Sequence, residues 1–498
     1  MTRSPSRRLF LGAVLSSVAG AAFAGAPTVS LRPVARGTEL WKRGVDTAAE
    51  IEARARLAGT VSFAVADVGT GQVLEVGRAA AGLPPASVAK AVTALYALEV
   101  LGAGHRFSTR VLATGPVEAG VLRGDLILAG GGDPTLDTDG LSDLVARLKG
   151  AGLREVRGDF LVWGGALPFA RAIDPGQPEH VGYNPALSGL NLNFNRVHFG
   201  WRRDGGRYEV TMDARSARHR PEVQVARMAL ADRAAPVYTY VDQGGRDEWT
   251  VARGALGNGG ARWLPVRKPE LYAGEVFQSF ARSQGITLRS PKTLPRLPAG
   301  AAVLAQRESE QLQVILRDML EFSTNLTAEV VGMSATAART GGVPASLKAS
   351  AAEMSRWAGV RLGMGGARFV DHSGLGDASR VSTAEMCAAL VAAGRAQALR
   401  PILKDIPLTD ARGRALSPQP VEIRAKTGTL HFVSSLAGFV VAPDGRELAF
   451  AIFTADVGRR AELTRAQKDR PEGSRDWNRR SRNLQQALLR RWATLYSA

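Results

Sequence analysis

The sequence predicts an α+β fold in which one mixed domain is split by a β-rich insert of one or two further domains. Three observations carry this. Strand patterns lie near both ends of the chain, in "VSFAVADVGTGQVLEVG" (61–77) and "SSLAGFVVAPDGRELAFAIFTADVG" (434–458). Helical patterns fill much of the space between and after them. The stretch 110–302 has a different texture, with short strand-like runs, frequent Gly and Pro, and few long helices beyond "LSDLVARLKGAG". At 498 residues the chain also exceeds what one hydrophobic core organises.

Taken in order, the chain opens with "MTRSPSRRLFLGAVLSSVAGAAFAGAP": a basic start, an apolar run and an A-x-A-like site at Ala22-Phe23-Ala24. This is a secretory pattern, so residues 1–24 are expected to be a cleaved signal. "SRRLFL" within it resembles a twin-arginine signal, which implies export to the periplasm. Residues 25–109 then form the first part of the split domain, 110–302 the insert, and 303–498 the second part. Gly69-Thr70-Gly71 marks a hairpin turn, and Pro443-Asp444-Gly445 marks another. "PPASVAKAVTALYALEVLG" (84–102) has helical periodicity, as does "PELYAGEVFQSFARSQGI" near the end of the insert. "LRDMLEFSTNLTAEVVGMSATAA" reads as two helices meeting at Ser323-Thr324-Asn325, and "IRAKTGTL" as a strand. The basic "RPEGSRDWNRRSRNLQQALLRRW" ends in an amphipathic helix with one solvated side.

Composition excludes some classes of function. Hydrophobic content of 45% with 22% charged residues is that of a globular protein. Cys387 is the single cysteine, so no intrachain disulfide forms, and its helical context makes it a small buried residue. The six histidines show no ligand spacing, so neither a metal nor a cofactor is expected. A net charge of +18 raises nucleic acid as a partner. The excess is spread along the chain, however, and no nucleic-acid-binding signature accompanies it, so an anionic envelope surface suits it equally well.

Three short motifs carry the chemistry. Ser87 and Lys90 form S-x-x-K at the start of the first long helix, one turn apart, which brings their Cβ atoms to about 5 to 6 Å. Ser323 and Asn325 form S-x-N at the helix junction, and Lys426, Thr427 and Gly428 form K-T-G at a strand start. Each has a plainer reading alone: a helix N-cap, a second cap cluster, and an edge lysine before a turn glycine. A decoy S-x-N at Ser481 shows how readily one member arises, but it falls after the K-T-G. Together and in this order they form the motif set shared by serine β-lactamases and penicillin-binding proteins.

The chain resembles the class C low-molecular-mass penicillin-binding proteins, the D-alanyl-D-alanine carboxypeptidase and endopeptidase type exemplified by penicillin-binding protein 4. The similarity extends to "FSTRVLATGPVEAGVLRGDLILAGGGDPTL", at the start of that family's insert, and to "DHSGLGDASRVS", which matches its D-G-S-G-L-S loop except at His372 and Gly376. The resemblance implies a catalytic domain of the penicillin-binding and serine β-lactamase type, acting on peptidoglycan stem peptides and crosslinks and inhibited by β-lactams. Ser87 is then the nucleophile and Lys90 its base, with a pKa lowered by burial and by the Lys426 cation. Ser323 passes the proton to the leaving amine, and Asn325 holds Lys90 and the substrate amide. Lys426, Thr427 and Thr429 attract the terminal carboxylate, and the N–H groups of Ser87 and Thr429 hold the oxyanion. Asp133 in "GGGDPTL" either reaches a cationic group of the stem peptide or turns the chain. His431 either lines the leaving-group side or is a partly exposed strand residue. A serine β-lactamase or esterase, and a non-catalytic wall-binding protein, are the alternatives on the same fold.

Overall fold

The structure is a computed structural model describing residues 44–410 and 413–496. The signal expected at 1–24 lies outside the described residues. Among the described residues the α-helices are α1 (Ala48–Ala55), α2 (Ala89–Leu101), α3 (Thr138–Gly150), α4 (Pro269–Ser283), α5 (Leu312–Phe322), α6 (Asn325–Thr340), α7 (Leu347–Leu362), α8 (Thr383–Arg395), α9 (Val457–Ala461) and α10 (Ser474–Tyr496).

The strand patterns at the two ends of the chain meet in one six-stranded antiparallel sheet. Its order is Lys404–Asp405, Glu422–Leu430, Val433–Val441, Glu447–Ala455, Thr60–Asp67, Val73–Gly77. Both expected hairpins are present, since 60–67 pairs with 73–77 and 433–441 with 447–455. The central strands are apolar on both faces because both faces are covered. Val61, Phe63, Val65, Phe450 and Ile452 point to one side and pack with Leu484, Leu488 and Trp492 of α10. Ala64, Ala66, Ala449 and Phe453 point to the other, where they meet α2 and residues of α5 to α8. α2 is therefore buried on nearly every side, and its run of small and apolar residues suits that position.

The chain leaves this arrangement after α2. Strands Ser108–Ala113 and Ala302–Glu308 pair with each other and form part of a five-stranded sheet, so the excursion closes on itself. Two three-stranded sheets, 196–204 with 207–213 and 259–265, and 226–231 with 238–242 and 247–252, complete most of it. One continuous core joins them, with Phe160 and Val162 from the larger sheet and Phe199 and Trp249 from the smaller ones. α4 belongs to this insert, because Tyr272, Val276 and Phe277 pack into its core. Leu167, Ile173 and Leu187 of the insert also pack against Leu326, Val330 and Met333 of α6. The insert thus braces the helix that starts at Asn325.

The face of the sheet away from α2 supplies a test of stability. Trp492 is fully buried, with its ring 6.1 Å from Phe63 and 6.0 Å from Phe450, and its indole N–H donates to Glu75 at 2.8 Å. Trp492→Ala is expected to cost about 3 to 5 kcal/mol in equilibrium denaturation. The folded fraction should keep wild-type reactivity toward a β-lactam, since the segment expected to react, from Ala86 into α2, lies on the other face.

Candidate active site

The "PPASVAK" segment does not begin as α-helix. Ala86–Val88 is a 3-10 turn that leads into α2 at Ala89, with Ala86 at a left-handed φ of +47°. Neither helical start has a side-chain cap, so the N-cap role for Ser87 does not hold. From Leu83 to Ala94 every residue is buried except Ser87, which is half-exposed. The turn therefore presents a single hydroxyl at the surface of an otherwise closed core.

Lys90, one turn on, is completely buried. Its Nζ lies 2.9 Å from Ser87 Oγ, 2.7 Å from Asn325 Oδ1 and 2.9 Å from the Ser373 carbonyl oxygen. Asn325 is the first residue of α6, and its Nδ2 donates to the carbonyl of Tyr183 in the insert at 2.9 Å. That carbonyl can only accept, so it fixes the amide with Oδ1 turned toward Lys90. Ser323 ends α5 in the left-handed region at φ +58° and reverses the chain between the two helices, two residues from Asn325.

The third motif comes from the sheet. Lys426 is buried, and its Nζ donates to the Thr427 carbonyl at 2.8 Å, while Thr427 and Thr429 are exposed on the alternate face. Gly428 is needed where it stands. A Cβ there would come within 2.8 Å of the Pro85 carbonyl and 3.0 Å of Ser87 N, so the strand lies directly against the serine turn.

The electrostatics follow from burial. Desolvation holds Lys90 well below the ordinary lysine pKa, and the Lys426 cation adds to this, while Glu329 and Asp371 oppose it. Lys426 is lowered to about 8, again chiefly by burial, with Lys404 adding and Glu321 opposing. An amine in this setting can be neutral near neutral pH, which is what a base needs.

Two buried carboxylates next to Lys90 were not among the sequence-derived candidates. Glu329 lies on α6 four residues after Asn325, on the same helical face, and that i,i+4 spacing in a mostly apolar helix is the signal available in the sequence. Asp371 starts the loop containing His372 and Ser373. Tyr183 was also missed, because its contribution is a backbone carbonyl and leaves no trace in side-chain patterns.

The D-Ala-D-Ala carboxypeptidase 3 (S13) family matches residues 46–471. The chain belongs to that family. It is 31% identical over 451 residues to a D-alanyl-D-alanine carboxypeptidase of Actinomadura sp. strain R39, covering 84% of this chain and 81% of that one. It is 25% identical over 420 residues to the D-alanyl-D-alanine carboxypeptidase DacB of Haemophilus influenzae, covering 79% of this chain and 85% of that one. The crystal structure of penicillin binding protein 4 from Haemophilus influenzae superposes with a TM-score of 0.72 at 22% identity, covering 89% of this chain and 99% of that one. The protein is thus a serine D-Ala-D-Ala carboxypeptidase of the penicillin-binding protein 4 type, with the α+β fold of that group.

Asp133 and His431, each open to two readings in the sequence, have their polar atoms engaged within the fold of this S13 enzyme. Asp133 is buried within the insert, where one carboxylate oxygen accepts from Thr135 N and Oγ1 and the other from Arg307. It organises a turn, pairs with Arg307 and is buried away from solvent, which is the turn reading of this residue. The ring nitrogens of His431 lie 3.1 Å from Ser474 Oγ and 2.9 Å from the Lys468 carbonyl. His431 therefore ties the strand end to the segment before α10 and offers neither nitrogen to a substrate. Cys387 is buried, with its thiol pushed up to about 12 by burial, so it is unreactive. Ser481 of the decoy motif bonds Thr454 inside the fold.

The contact between strand and serine turn gives a direct test. Gly428→Ala must push the strand away from Ser87 N by a few tenths of an ångström, disturbing the pair of N–H groups expected to hold the oxyanion. Acylation of the folded protein by a chromogenic β-lactam is expected to slow by about 10-fold or more, with a lowered melting temperature reporting the backbone clash separately. An unchanged rate would separate the strand from the reaction.

Proposed function

We propose that this carboxypeptidase releases the terminal D-alanine of peptidoglycan stem peptides through an acyl-enzyme on Ser87, and opens D-Ala crosslinks by the same chemistry. The observation that carries this is the environment of Lys90. Two fixed acceptors, Asn325 Oδ1 and the Ser373 carbonyl, take two N–H groups of the neutral amine, and its lone pair then faces the Ser87 hydroxyl at 2.9 Å.

The steps follow from that orientation. Lys90 takes the Ser87 proton as Oγ attacks the carbonyl carbon before the terminal D-alanine. The N–H groups of Ser87 and Thr429 hold the oxyanion, each such donor contributing about 3 to 4 kcal/mol by comparison with other acyl-transfer enzymes. The proton passes from Lys90 through the Ser323 hydroxyl to the departing nitrogen, and the C–N bond breaks. Lys426, Thr427 and Thr429 hold the carboxylate of the leaving D-alanine. Water then gives a proton to Lys90, attacks the ester carbon, and restores Ser87. Thr427 and Thr429 are exposed, so the leaving side has room for a peptide larger than D-alanine, which supports crosslink cleavage. A β-lactam acylates Ser87 in the same way but keeps its leaving amine tethered, which obstructs water.

The leader sequence supports export to the periplasm by the twin-arginine route, and the charge of +18 supports peripheral association with anionic envelope polymers. No described helix is long and apolar enough to cross a membrane.

Intact-mass spectrometry after incubation with a penicillin tests the nucleophile. One drug per chain is expected on the wild type and none on Ser87→Ala, whereas an adduct that survives the substitution would move the reaction elsewhere. Rapid loss of the wild-type adduct would favour a β-lactamase. The pH profile tests the two lysines together. Lys90 works when neutral, so kcat/KM for a peptide ending in D-alanine should rise as pH climbs through its lowered pKa. Lys426 works when charged, so the same parameter should fall as pH passes about 8. A profile still rising well above that pH would remove Lys426 from the carboxylate site.

A further inference from the structure

The loop 371–376 carries one of the two acceptors that orient Lys90, and its own position has an identifiable origin. Four of its backbone N–H groups converge on two buried carboxylates. Glu329 Oε2 accepts from His372 N and Oε1 from Ser373 N, both at 2.9 Å. Asp371 Oδ1 accepts from Gly374 N at 2.7 Å and Oδ2 from Gly376 N at 2.6 Å. Between these donors lies the Ser373 carbonyl, 2.9 Å from Lys90 Nζ. Every oxygen of the two carboxylates is thus engaged by the loop. The loop is also pressed against the serine turn, since a Cβ on Gly374 would stand 1.8 Å from the Ala86 carbonyl oxygen.

We propose that Glu329 and Asp371 are positioning residues for the acylation step, clamping the 371–376 loop through these four N–H groups so that the Ser373 carbonyl aims the Lys90 amine at Ser87. This deepens the reading of Lys90 as base and rests on it. His372 completes the clamp on the far side. Its ring fills the space beside Gly332, where a Cβ would stand 2.2 Å from the imidazole, and its Nε2 lies 2.8 Å from Ser350 Oγ. Burial lowers His372 to about 3, so it stays neutral at working pH and adds no charge to the site. The charged groups acting on Lys90 are then Lys426 from the sheet, Glu329 from α6 and Asp371 from the loop, with Asp174 of the insert acting on Asp371.

A purely structural role and a positioning role give different results. Glu329→Gln keeps the shape but turns an NH2 group toward one of the two loop N–H donors, which must then shift. Burial and then the neighbouring Asp371 push Glu329 itself up to about 8, and its ionised form raises the Lys90 pKa, an effect the substitution removes. The acylation rate constant with a chromogenic β-lactam, measured across pH, is expected to fall about 10- to 100-fold at its plateau. Its acid limb should move to lower pH. Wild-type plateau and limb, whatever the melting temperature, would overturn the proposal. If Glu329→Gln does not fold, Asp371→Asn applies the same test to the other half of the clamp. A readout on the wild type needs no variant: the amides of residues 372–376 should exchange with deuterium as slowly as those of α2, and free exchange would overturn the clamp. Failure of the underlying reading is distinct, because the wild type itself would then form no adduct on Ser87.

Discussion

The structure depends on placing an amine where water cannot reach it. A buried Lys90 loses its hydration, and the charged form suffers most, so the interior itself favours the neutral amine. That gain requires that every remaining N–H find a partner and that the lone pair have one direction left. Asn325 and the Ser373 carbonyl meet the first requirement, and Ser87 occupies the third direction. Reactivity here is therefore a property of packing as much as of residue type.

Each partner comes from a distant part of the chain, which explains the architecture around the site. The 3-10 turn and α2 supply Ser87 and Lys90, α6 supplies Asn325 and Glu329, and the loop before α8 supplies Ser373. The sheet brings Lys426 and the flat backbone at Gly428 against the serine turn. The insert contributes too, since the Tyr183 carbonyl sets the orientation of the Asn325 amide and the contact around Leu326 and Val330 braces α6. An insert that looks separate in sequence is thus part of the device that orients the lysine.

Much of this was legible in the sequence. Period-two strands, helical periodicity and turn dipeptides located the split sheet and its hairpins, and the three motifs pointed to Ser87, Lys90 and Asn325, which the fold brings into contact. What escaped was of two kinds. Backbone groups such as the Tyr183 and Ser373 carbonyls have no side-chain signature. Asp133 and His431 carry titratable groups in suggestive positions, yet whether such a group faces a cleft or a neighbouring loop depends on tertiary contacts that local patterns do not encode. Glu329 lies between: its spacing from Asn325 is visible, but only the fold reveals the loop amides it holds.

The central claim is that Lys90 is a neutral amine in the resting enzyme, and nitrogen-15 NMR of lysine side chains across a pH titration tests it most directly. With assignment by a Lys90→Arg variant, the account expects one Nζ resonance that titrates well below the ordinary lysine range and belongs to Lys90. A Lys90 signal that keeps its proton up to the pH at which exposed lysines titrate would contradict the account, because the buried group would then be a cation and the Ser87 proton would need another acceptor.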